Sequence, residues 1–137
     1  MKIVSACLAG VRCNWQGEAK PCAKVIELVA AGKAIPICPE QLGGMPTPRD
    51  PAERSGNRVI SISGEDVTDK FKHGTEEGLK IAKLINCKEA ILKARSPSCG
   101  VGKIYDGTFT KNLTPGDGVF AKMLKEHRIR VQSEEEL

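Results

Sequence analysis

Short apolar runs mark the strands of this chain. Each run is four or five residues long, and continuous apolar runs of that length are typical of strands buried on both faces of a parallel sheet. The runs predict strands over residues 2–6, 34–37 and 89–93, and residues 129–132 are predicted as a final strand. An alternating apolar and polar stretch, residues 58–63, predicts one more short strand at a sheet edge.

Between the strands, apolar residues recur at the spacing of a helical face. The first such segment begins after Pro21 and ends before Gly32, and its predicted apolar face holds Cys22, Val25, Ile26 and Val29. A longer helix begins at Asp66 as its N-cap and holds on one face Val67, Phe71, Gly74, Gly78, Ala82 and Ile85. The last helix begins within residues 114–117, and its predicted inward face holds Val119, Phe120, Met123, Leu124 and His127.

The alternation of strands and helices indicates the fold class. Successive strand, helix and strand form right-handed parallel units. We therefore expect an α/β three-layer sandwich, with a mainly parallel β-sheet flanked by helices as in Rossmann-like folds. The length of 137 residues predicts a single domain over residues 1–137. The segment Cys38–Glu53 contains four prolines and two glycines, and we expect a long loop there without secondary structure.

Composition and charge narrow the classes of partner. Charged residues make up 28% and hydrophobic residues 40% of the chain, which is typical of a soluble globular protein. A net charge of +4 permits an anionic ligand but falls short of a nucleic-acid-binding surface, so nucleic acid is disfavoured as a partner. No apolar run is long enough to span a membrane and the first residues show no signal-peptide pattern, which predicts a cytoplasmic location. The acidic residues 134–136 are expected to form a solvated tail.

Three of the six cysteines follow predicted strands. Cys7 and Cys38 come directly after a strand, and Cys99 lies in the glycine-containing loop after residues 89–93. Because the carboxyl ends of parallel strands meet at the sheet edge where ligands bind, we expect these thiols to meet in space. In a reducing compartment, cysteines indicate metal binding or catalysis rather than disulfides. The spacings from 7 to 38 and from 38 to 99 fit no zinc-finger pattern.

Three thiolates leave a metal centre one protein ligand short, which is typical of a reactive site. Soft thiolates bind both zinc and iron–sulfur clusters, and the spacing alone does not choose between zinc with a bound water and a cluster with one open iron. Cys13 lies six residues after Cys7 and is a candidate fourth ligand. We interpret Cys22 and Cys87 as buried structural thiols.

Further motifs extend the pattern over nearly the whole chain. They are, in order, residues 5–8 (SACL), 38–40 (CPE), 46–49 (PTPR), 93–100 (KARSPSCG), 104–109 (IYDGTF) and 115–119 (PGDGV). In these motifs the chain resembles the small bacterial family typified by thiouracil desulfurase. The resemblance implies a [4Fe-4S] cluster with one open iron, held by Cys7, Cys38 and Cys99. Many relatives carry an acid before the glycine of the first loop, where this chain has Asn14-Trp15-Gln16-Gly17.

The activity implied by the resemblance is the desulfuration of a thiolated pyrimidine or a similar small thiocarbonyl compound. The reaction is non-redox: the open iron acts as a Lewis acid on the sulfur, and water replaces it. Such chemistry needs a group that moves protons, for which Glu40 is the candidate. Ser98 and Ser96 are candidates to bond the ligand or the cluster sulfurs, and the alternative role for both is to stabilise the turn around Pro97. Arg49 and Glu53 are interpreted as either an ion pair that pins the loop or a substrate contact.

Two other functions stay open at this point. One is a cluster-binding accessory protein in sulfur transfer or tRNA thiolation. The other is a zinc-binding or redox-sensing thiol protein without turnover. Salt-dependent binding of tRNA would favour the first, and metal analysis would identify the second. We expect His73, Asp106 and His127 to have structural roles.

Overall fold

The computed structural model describes residues 1–137. The strands are β1 (Lys2–Ser5), β2 (Ala34–Ile37), β3 (Ala52–Ser55), β4 (Arg58–Ser61), β5 (Glu89–Leu92), β6 (Lys103–Tyr105), β7 (Leu113–Pro115) and β8 (Arg130–Ser133). The α-helices are α1 (Ala23–Ala30), α2 (Pro39–Leu42), α3 (Thr68–Leu84) and α4 (Val119–Glu126), and 3-10 helices cover Ala6–Ala9 and Glu134–Glu136. None of the helices has both the length and the apolar character needed to cross a membrane.

Four parallel strands form the central sheet, in the order β2-β1-β5-β8. The chain leaves β1 toward β2 on one side of the sheet and leaves β5 toward β8 on the other. The direction of winding therefore reverses between β1 and β5, and in open α/β sheets ligands bind outside the carboxyl ends of the strands at such a point. The sheet confirms the predicted α/β class with a mainly parallel sheet.

Helices cover both faces of this sheet. Because side chains alternate along a strand, Ile3 and Val4 of β1 point to opposite faces. Ile3 packs in a core cluster with Ala82 of α3 and Phe120 of α4. Val4 packs in a second cluster with Val25 of α1. The three layers are thus α1, the sheet, and the α3–α4 pair, as the prediction of a sandwich required.

The segment Cys38–Glu53 is more ordered than predicted. The short helix α2 begins directly after Cys38, with Pro39 at its first position, where a proline loses no helical hydrogen bond. The segment ends in β3, which pairs with β4 in an antiparallel hairpin. One prediction was therefore wrong, because the segment has secondary structure. The strand predicted within residues 58–63 is present as β4, and it lies in a separate two-stranded sheet. The prolines and glycines of the segment masked a helix and a strand of only four residues each.

Two glycines lie at the contact between α2 and α3. A Cβ atom on Gly74 would lie 1.8 Å from the carbonyl oxygen of Pro39. A Cβ atom on Gly43 would lie 2.1 Å from the carbonyl oxygen of Lys70. Both distances are far below a van der Waals contact, so only glycine permits the two helices to approach this closely. The contact fixes α2, and with it Cys38 at the helix N-terminus, against the body of the protein.

Two helices differ from the predictions in their start or their buried face. α3 begins at Thr68 with Val67 as its cap, and Asp66 contributes by accepting a hydrogen bond from the Thr68 amide (2.9 Å). In α1, Ile26 is 40% exposed rather than part of the apolar face. This helix of eight residues buries only the narrow stripe that contains Val25.

The region before α4 also differs from the prediction. Residues 114–117 do not begin a helix, because Leu113–Pro115 forms β7 and pairs with β6, and Gly118 caps α4. His127 was predicted to face inward, but it is exposed, because α4 ends one residue earlier. Its ring atom Nδ1 lies 3.0 Å from the Met123 carbonyl oxygen, which ties the side chain to the helix end.

The acidic residues near the C-terminus do not form the solvated tail that was predicted. They form a 3-10 helix that is capped by the hydroxyl of Ser133. The Glu134 carboxylate accepts a hydrogen bond from the Ala94 amide (2.7 Å) and pairs with Lys93 (3.0 Å). These contacts hold the start of the loop that follows β5.

Candidate functional site

A cavity of about 500 Å³ lies at the carboxyl ends of β1, β2 and β5. Cys7, Cys38 and Cys99 line it, one from the segment that follows each of these strands. Cys13, from the loop after β1, is a fourth thiol in the cavity wall. The structure therefore brings together the three thiols that were expected to meet, although they are far apart along the chain.

Local hydrogen bonds hold each of the three segments. Cys7 lies in the 3-10 turn after β1, and its carbonyl oxygen accepts a hydrogen bond from the Lys20 amide (3.0 Å). Cys38 is the residue that precedes α2. The Cys99 amide donates a hydrogen bond to the hydroxyl of Ser96 (3.1 Å), which closes the loop after β5 into a tight turn. Each thiol is thus positioned by the strand that precedes it and by a turn or helix in the segment that follows that strand.

Burial is the largest influence on the pKa of two of these thiols. It raises the pKa of Cys7 to about 11 and the pKa of Cys99 to about 12. The thiols also influence one another, since Cys38 raises the pKa of Cys7, and both Cys7 and Cys38 raise the pKa of Cys99. A metal centre in the cavity would favour the thiolate forms instead, because its positive charge stabilises them.

Cys13 is hydrogen-bonded to one of the three thiols. Its side chain is 1% exposed and lies beside the side chain of Cys38. The interaction between the two thiols raises the pKa of Cys13, and it lowers the pKa of Cys38 to about 7 against the opposing effect of burial. Cys38 Sγ also lies 3.8 Å from the Cys13 carbonyl oxygen. Cys13 stays a candidate fourth ligand in this position.

Glu40 and Ser98 form a hydrogen-bonded pair in the cavity wall. The Ser98 hydroxyl donates to Glu40 Oε2 (2.9 Å), and the Ser98 hydroxyl oxygen lies 3.6 Å from Cys99 Sγ. Ser98 is buried, and its amide donates to the hydroxyl of Ser96 (3.2 Å), which keeps its backbone in place. A carboxylate and a hydroxyl therefore lie beside the thiols, a combination that can accept, hold and donate protons.

Arg49 pairs with Glu40 and not with Glu53. Arg49 Nε lies 3.0 Å from Glu40 Oε1, and the Arg49 side chain is only 4% exposed. Glu53 instead accepts hydrogen bonds from the amides of Gly107 (3.0 Å) and Phe109 (3.1 Å), which fixes the loop after β6. The interpretation of Arg49 and Glu53 as an ion pair was therefore wrong. Arg49 and Glu40 are nine residues apart in an irregular segment, so no periodicity indicated their contact.

Aromatic side chains form part of the same wall. Trp15, Tyr105 and Phe109 line the cavity. The chain has only one Trp, one Tyr and three Phe residues, and the other two, Phe71 and Phe120, are buried in the core. Every aromatic residue outside the core therefore faces this cavity. Tyr105 and Phe109 were not predicted as site residues, although the scarcity of aromatic residues was a usable signal.

The cysteines and the acid that were assigned structural roles lie outside the cavity wall. Cys87 is buried, and its thiol donates to the Glu89 carbonyl oxygen (3.1 Å). Cys22 is half-buried at the start of α1 and packs against the core on that face of the sheet. Asp106 accepts hydrogen bonds from the amide (3.0 Å) and hydroxyl (2.6 Å) of Thr108, which fixes its turn. Neither histidine lines the cavity.

The donor set of the cavity fits an iron–sulfur group. Thiolates are the soft ligands that such clusters use. No three His, Cys, Asp or Glu side chains are arranged so that they could hold one metal ion. The thiols instead surround the cavity from three separate strand ends. Cys7, Cys38 and Cys99 are the residues that would hold such a cluster here.

Comparison with known proteins agrees with this geometry. The family model for 2-thiouracil desulfurase matches residues 3–136. The chain belongs to the 2-thiouracil desulfurase family. The uncharacterized protein YbbK of Bacillus subtilis (strain 168) is 44% identical over 147 residues, which cover 100% of this chain and 97% of YbbK. A solved structure of the [4Fe-4S]-dependent thiouracil desulfidase TudS is similar, with a TM-score of 0.94 and 43% sequence identity. The match covers 98% of this chain and 91% of the TudS chain.

Membership in the 2-thiouracil desulfurase family confirms the resemblance that the motifs indicated. The agreement with TudS extends over the whole sheet and the helices that cover it, and so confirms the fold class. The four residues of the first loop, Asn14-Trp15-Gln16-Gly17, lie within the matched range. Asn14, Trp15 and Gln16 line the cavity, so this loop forms part of the cavity wall.

Proposed function

We propose that this protein is an enzyme that removes sulfur from a thiolated pyrimidine, or a similar small thiocarbonyl compound, with a [4Fe-4S] cluster as cofactor. The observation that carries the proposal is the cavity in which Cys7, Cys38 and Cys99 lie beside Glu40 and Ser98. Family membership and the 43% identity to a [4Fe-4S]-dependent thiouracil desulfidase support it. In this proposal, the whole chain acts as one desulfurase domain.

Cys7, Cys38 and Cys99 are the proposed cluster ligands. When bound, the cluster supplies an open iron that acts as a Lewis acid toward the thiocarbonyl sulfur. The protein contributes three thiols whose positions are set by the parallel sheet. The backbone around these cysteines therefore needs little rearrangement when the thiols become ligands. The aromatic side chains of the wall offer flat apolar faces, which suit a planar heterocyclic substrate.

Glu40 is the proposed proton-transfer residue. Water replaces sulfur at a carbon atom whose oxidation state does not change, so the reaction needs proton transfers but no external electrons. Glu40 Oε2 accepts a proton from the attacking water and returns one to the heterocycle or to the departing sulfide. Ser98 holds this carboxylate oxygen by the hydrogen bond of 2.9 Å and lies next to the Cys99 thiol. Carboxylate and hydroxyl groups in such positions typically contribute about 10²–10⁴-fold to a rate.

Anaerobic reconstitution with iron and sulfide tests the cofactor. The wild-type chain should bind about one [4Fe-4S] cluster, and Ser at Cys7, Cys38 or Cys99 should abolish binding. Cys22→Ala and Cys87→Ala are matched controls, because neither thiol lines the cavity, and both should retain full iron and sulfide. Retention of full iron and sulfide in all three Cys→Ser variants would disprove the ligand assignment. Zinc in place of iron after metal analysis would favour the zinc-binding alternative.

Turnover of 2-thiouracil tests the reaction and the role of Glu40. The loaded wild-type protein should convert 2-thiouracil and release sulfide, both of which can be followed by absorbance and by a sulfide assay. Glu40→Gln should load a normal cluster but lose turnover by about 10²–10⁴-fold. A Glu40→Gln variant with the wild-type rate would remove Glu40 from the mechanism. A loaded wild-type protein that desulfurates no thiolated pyrimidine would overturn the proposed function.

A further inference from the structure

Arg49 is the most heavily hydrogen-bonded side chain near the cavity. Its side chain is only 4% exposed, so nearly all its contacts are with the protein. Nε donates to Glu40 Oε1 (3.0 Å), and Nη2 donates to the Cys13 carbonyl oxygen (3.0 Å). Nη1 donates to the Pro46 carbonyl oxygen (3.2 Å) and to the Thr47 hydroxyl (3.2 Å). All three nitrogens of the guanidinium group are thus used.

These contacts connect two parts of the cavity wall. Glu40 belongs to α2, whereas Cys13 belongs to the loop after β1. The Arg49 amide strengthens the connection, because it donates to the Trp15 carbonyl oxygen (2.9 Å) in the same loop. One residue therefore bonds the loop that carries Cys13 and Trp15 to the helix that carries Glu40.

The same contacts leave only one orientation for the Glu40 carboxylate. Arg49 occupies Oε1, and the remaining oxygen, Oε2, accepts the hydrogen bond from Ser98. Without the guanidinium group, the hydrogen bond from Ser98 alone would hold the carboxylate, and the plane of the group could rotate about that bond. A lysine would keep the positive charge, but its single ammonium group lacks the rigid planar fork that reaches Glu40 and the Cys13 carbonyl together.

We propose that Arg49 is a positioning residue, which fixes the Glu40 carboxylate and the Cys13–Trp15 loop as one unit. The proposal rests on the proposed function, because Glu40 is the group that it positions. Arg49 does not touch the three thiols through any hydrogen bond, so it acts on the reaction through Glu40 and through the shape of the wall. Since a misplacement of about 1 Å can cost 10²-fold in rate, loss of this unit should be visible in kcat.

The kinetic test uses Arg49→Ala and Arg49→Lys in the cluster-loaded protein. Both variants should carry normal iron and sulfide, and their kcat for 2-thiouracil should fall by about 10²-fold. Guanidinium at millimolar concentration should restore part of kcat in Arg49→Ala, because it fits the space that the side chain leaves, and should restore nothing in Arg49→Lys. Arg58→Ala is the matched control, since the Arg58 side chain is 73% exposed and pairs with Asp66 at the surface; it should keep the wild-type kcat.

A second measurement does not depend on turnover. Trp15 is the only tryptophan, so the fluorescence of the loaded protein reports on its loop. Glu40→Gln and Arg49→Ala should each shift the emission, and the double variant should shift it no further than Arg49→Ala alone, because both act through one unit. Additive shifts would overturn the proposal.

The outcomes separate this proposal from the proposed function. A wild-type kcat in Arg49→Ala would overturn the positioning role while leaving the desulfurase activity intact. Loss of iron in Arg49→Ala, with no recovery by guanidinium, would also overturn it, because Arg49 would then serve the cluster-binding structure instead. If the loaded wild-type protein has no desulfurase activity, the proposed function fails, and the fluorescence cycle alone decides whether Arg49 joins Glu40 to the loop.

Discussion

Replacing Gly74 with alanine should displace the helix that carries Glu40. The new Cβ atom would lie 1.8 Å from the Pro39 carbonyl oxygen and 2.9 Å from the Gly43 amide nitrogen. Carbon and oxygen atoms approach no closer than roughly 3.3 Å, so α2 must retreat from α3 by about 1.5 Å. Because the neighbouring atoms belong to the backbone of α2, rotation of a side chain cannot relieve the overlap. Cys38 precedes this helix and moves with it.

The expected loss of stability follows from two opposing contributions. Overpacking costs up to about 3 kcal/mol, whereas alanine gains about 1 kcal/mol over glycine inside a helix. The free energy of unfolding should therefore fall by about 2 kcal/mol. Turnover should fall further than stability suggests, by about 10²-fold, since the Glu40 carboxylate leaves its place beside Ser98.

Gly78→Ala is the matched control, one helical turn further along α3. Its Cβ atom would lie 2.7 Å from Cε1 of Phe120, which is a side chain of the core and not part of the site. Urea denaturation should show a loss of stability in both variants, while the turnover of 2-thiouracil by loaded protein should fall only in Gly74→Ala. Equal turnover by Gly74→Ala and Gly78→Ala would refute the reasoning, because α2 would then tolerate the displacement.

Three further substitutions test other features of the structure. Glu134→Gln should lower the free energy of unfolding by about 1.5–3 kcal/mol, because it weakens the hydrogen bond to the Ala94 amide and leaves Lys93 unpaired. An unchanged denaturation midpoint would contradict this. Thr75→Val should raise the free energy of unfolding by about 1 kcal/mol, since the buried Thr75 hydroxyl has no hydrogen-bond partner. A lower Tm in calorimetry would count against this prediction. Cys13→Ser should keep full iron and sulfide after reconstitution, because the three strand-end thiols suffice; a variant without iron would make Cys13 a ligand.

The parts of the fold that were predictable are those with a strong local pattern. The apolar runs of β1 and β5 are continuous, so their type and order followed directly from the sequence. The positions of Cys7, Cys38 and Cys99 after strands were sufficient to predict that they meet, because a parallel sheet aligns the carboxyl ends of its strands. No contact had to be known in advance for this inference.

The parts that were missed depend on contacts between segments that show no pattern of their own. Arg49 can pair with Glu40 only once α2 has formed, and the residues between them show no periodic pattern. Glu134 looks like a solvated acid until the β5 loop places the Ala94 amide beside it. In the hairpin of β3 and β4, alternation predicted β4, whereas β3 has only four residues and follows a segment rich in proline, so no pattern indicated it.

The distribution of the three strand-end thiols has a consequence for biosynthesis. During synthesis Cys7 is made first and Cys38 second, and Cys99 is added only after the whole of α3 and β5 has been made. With the proposed ligand set, no N-terminal fragment shorter than this can hold the cluster, and the site exists only when β5 has paired with β1. That ligand set therefore makes cluster insertion a late event, which follows folding of the sheet.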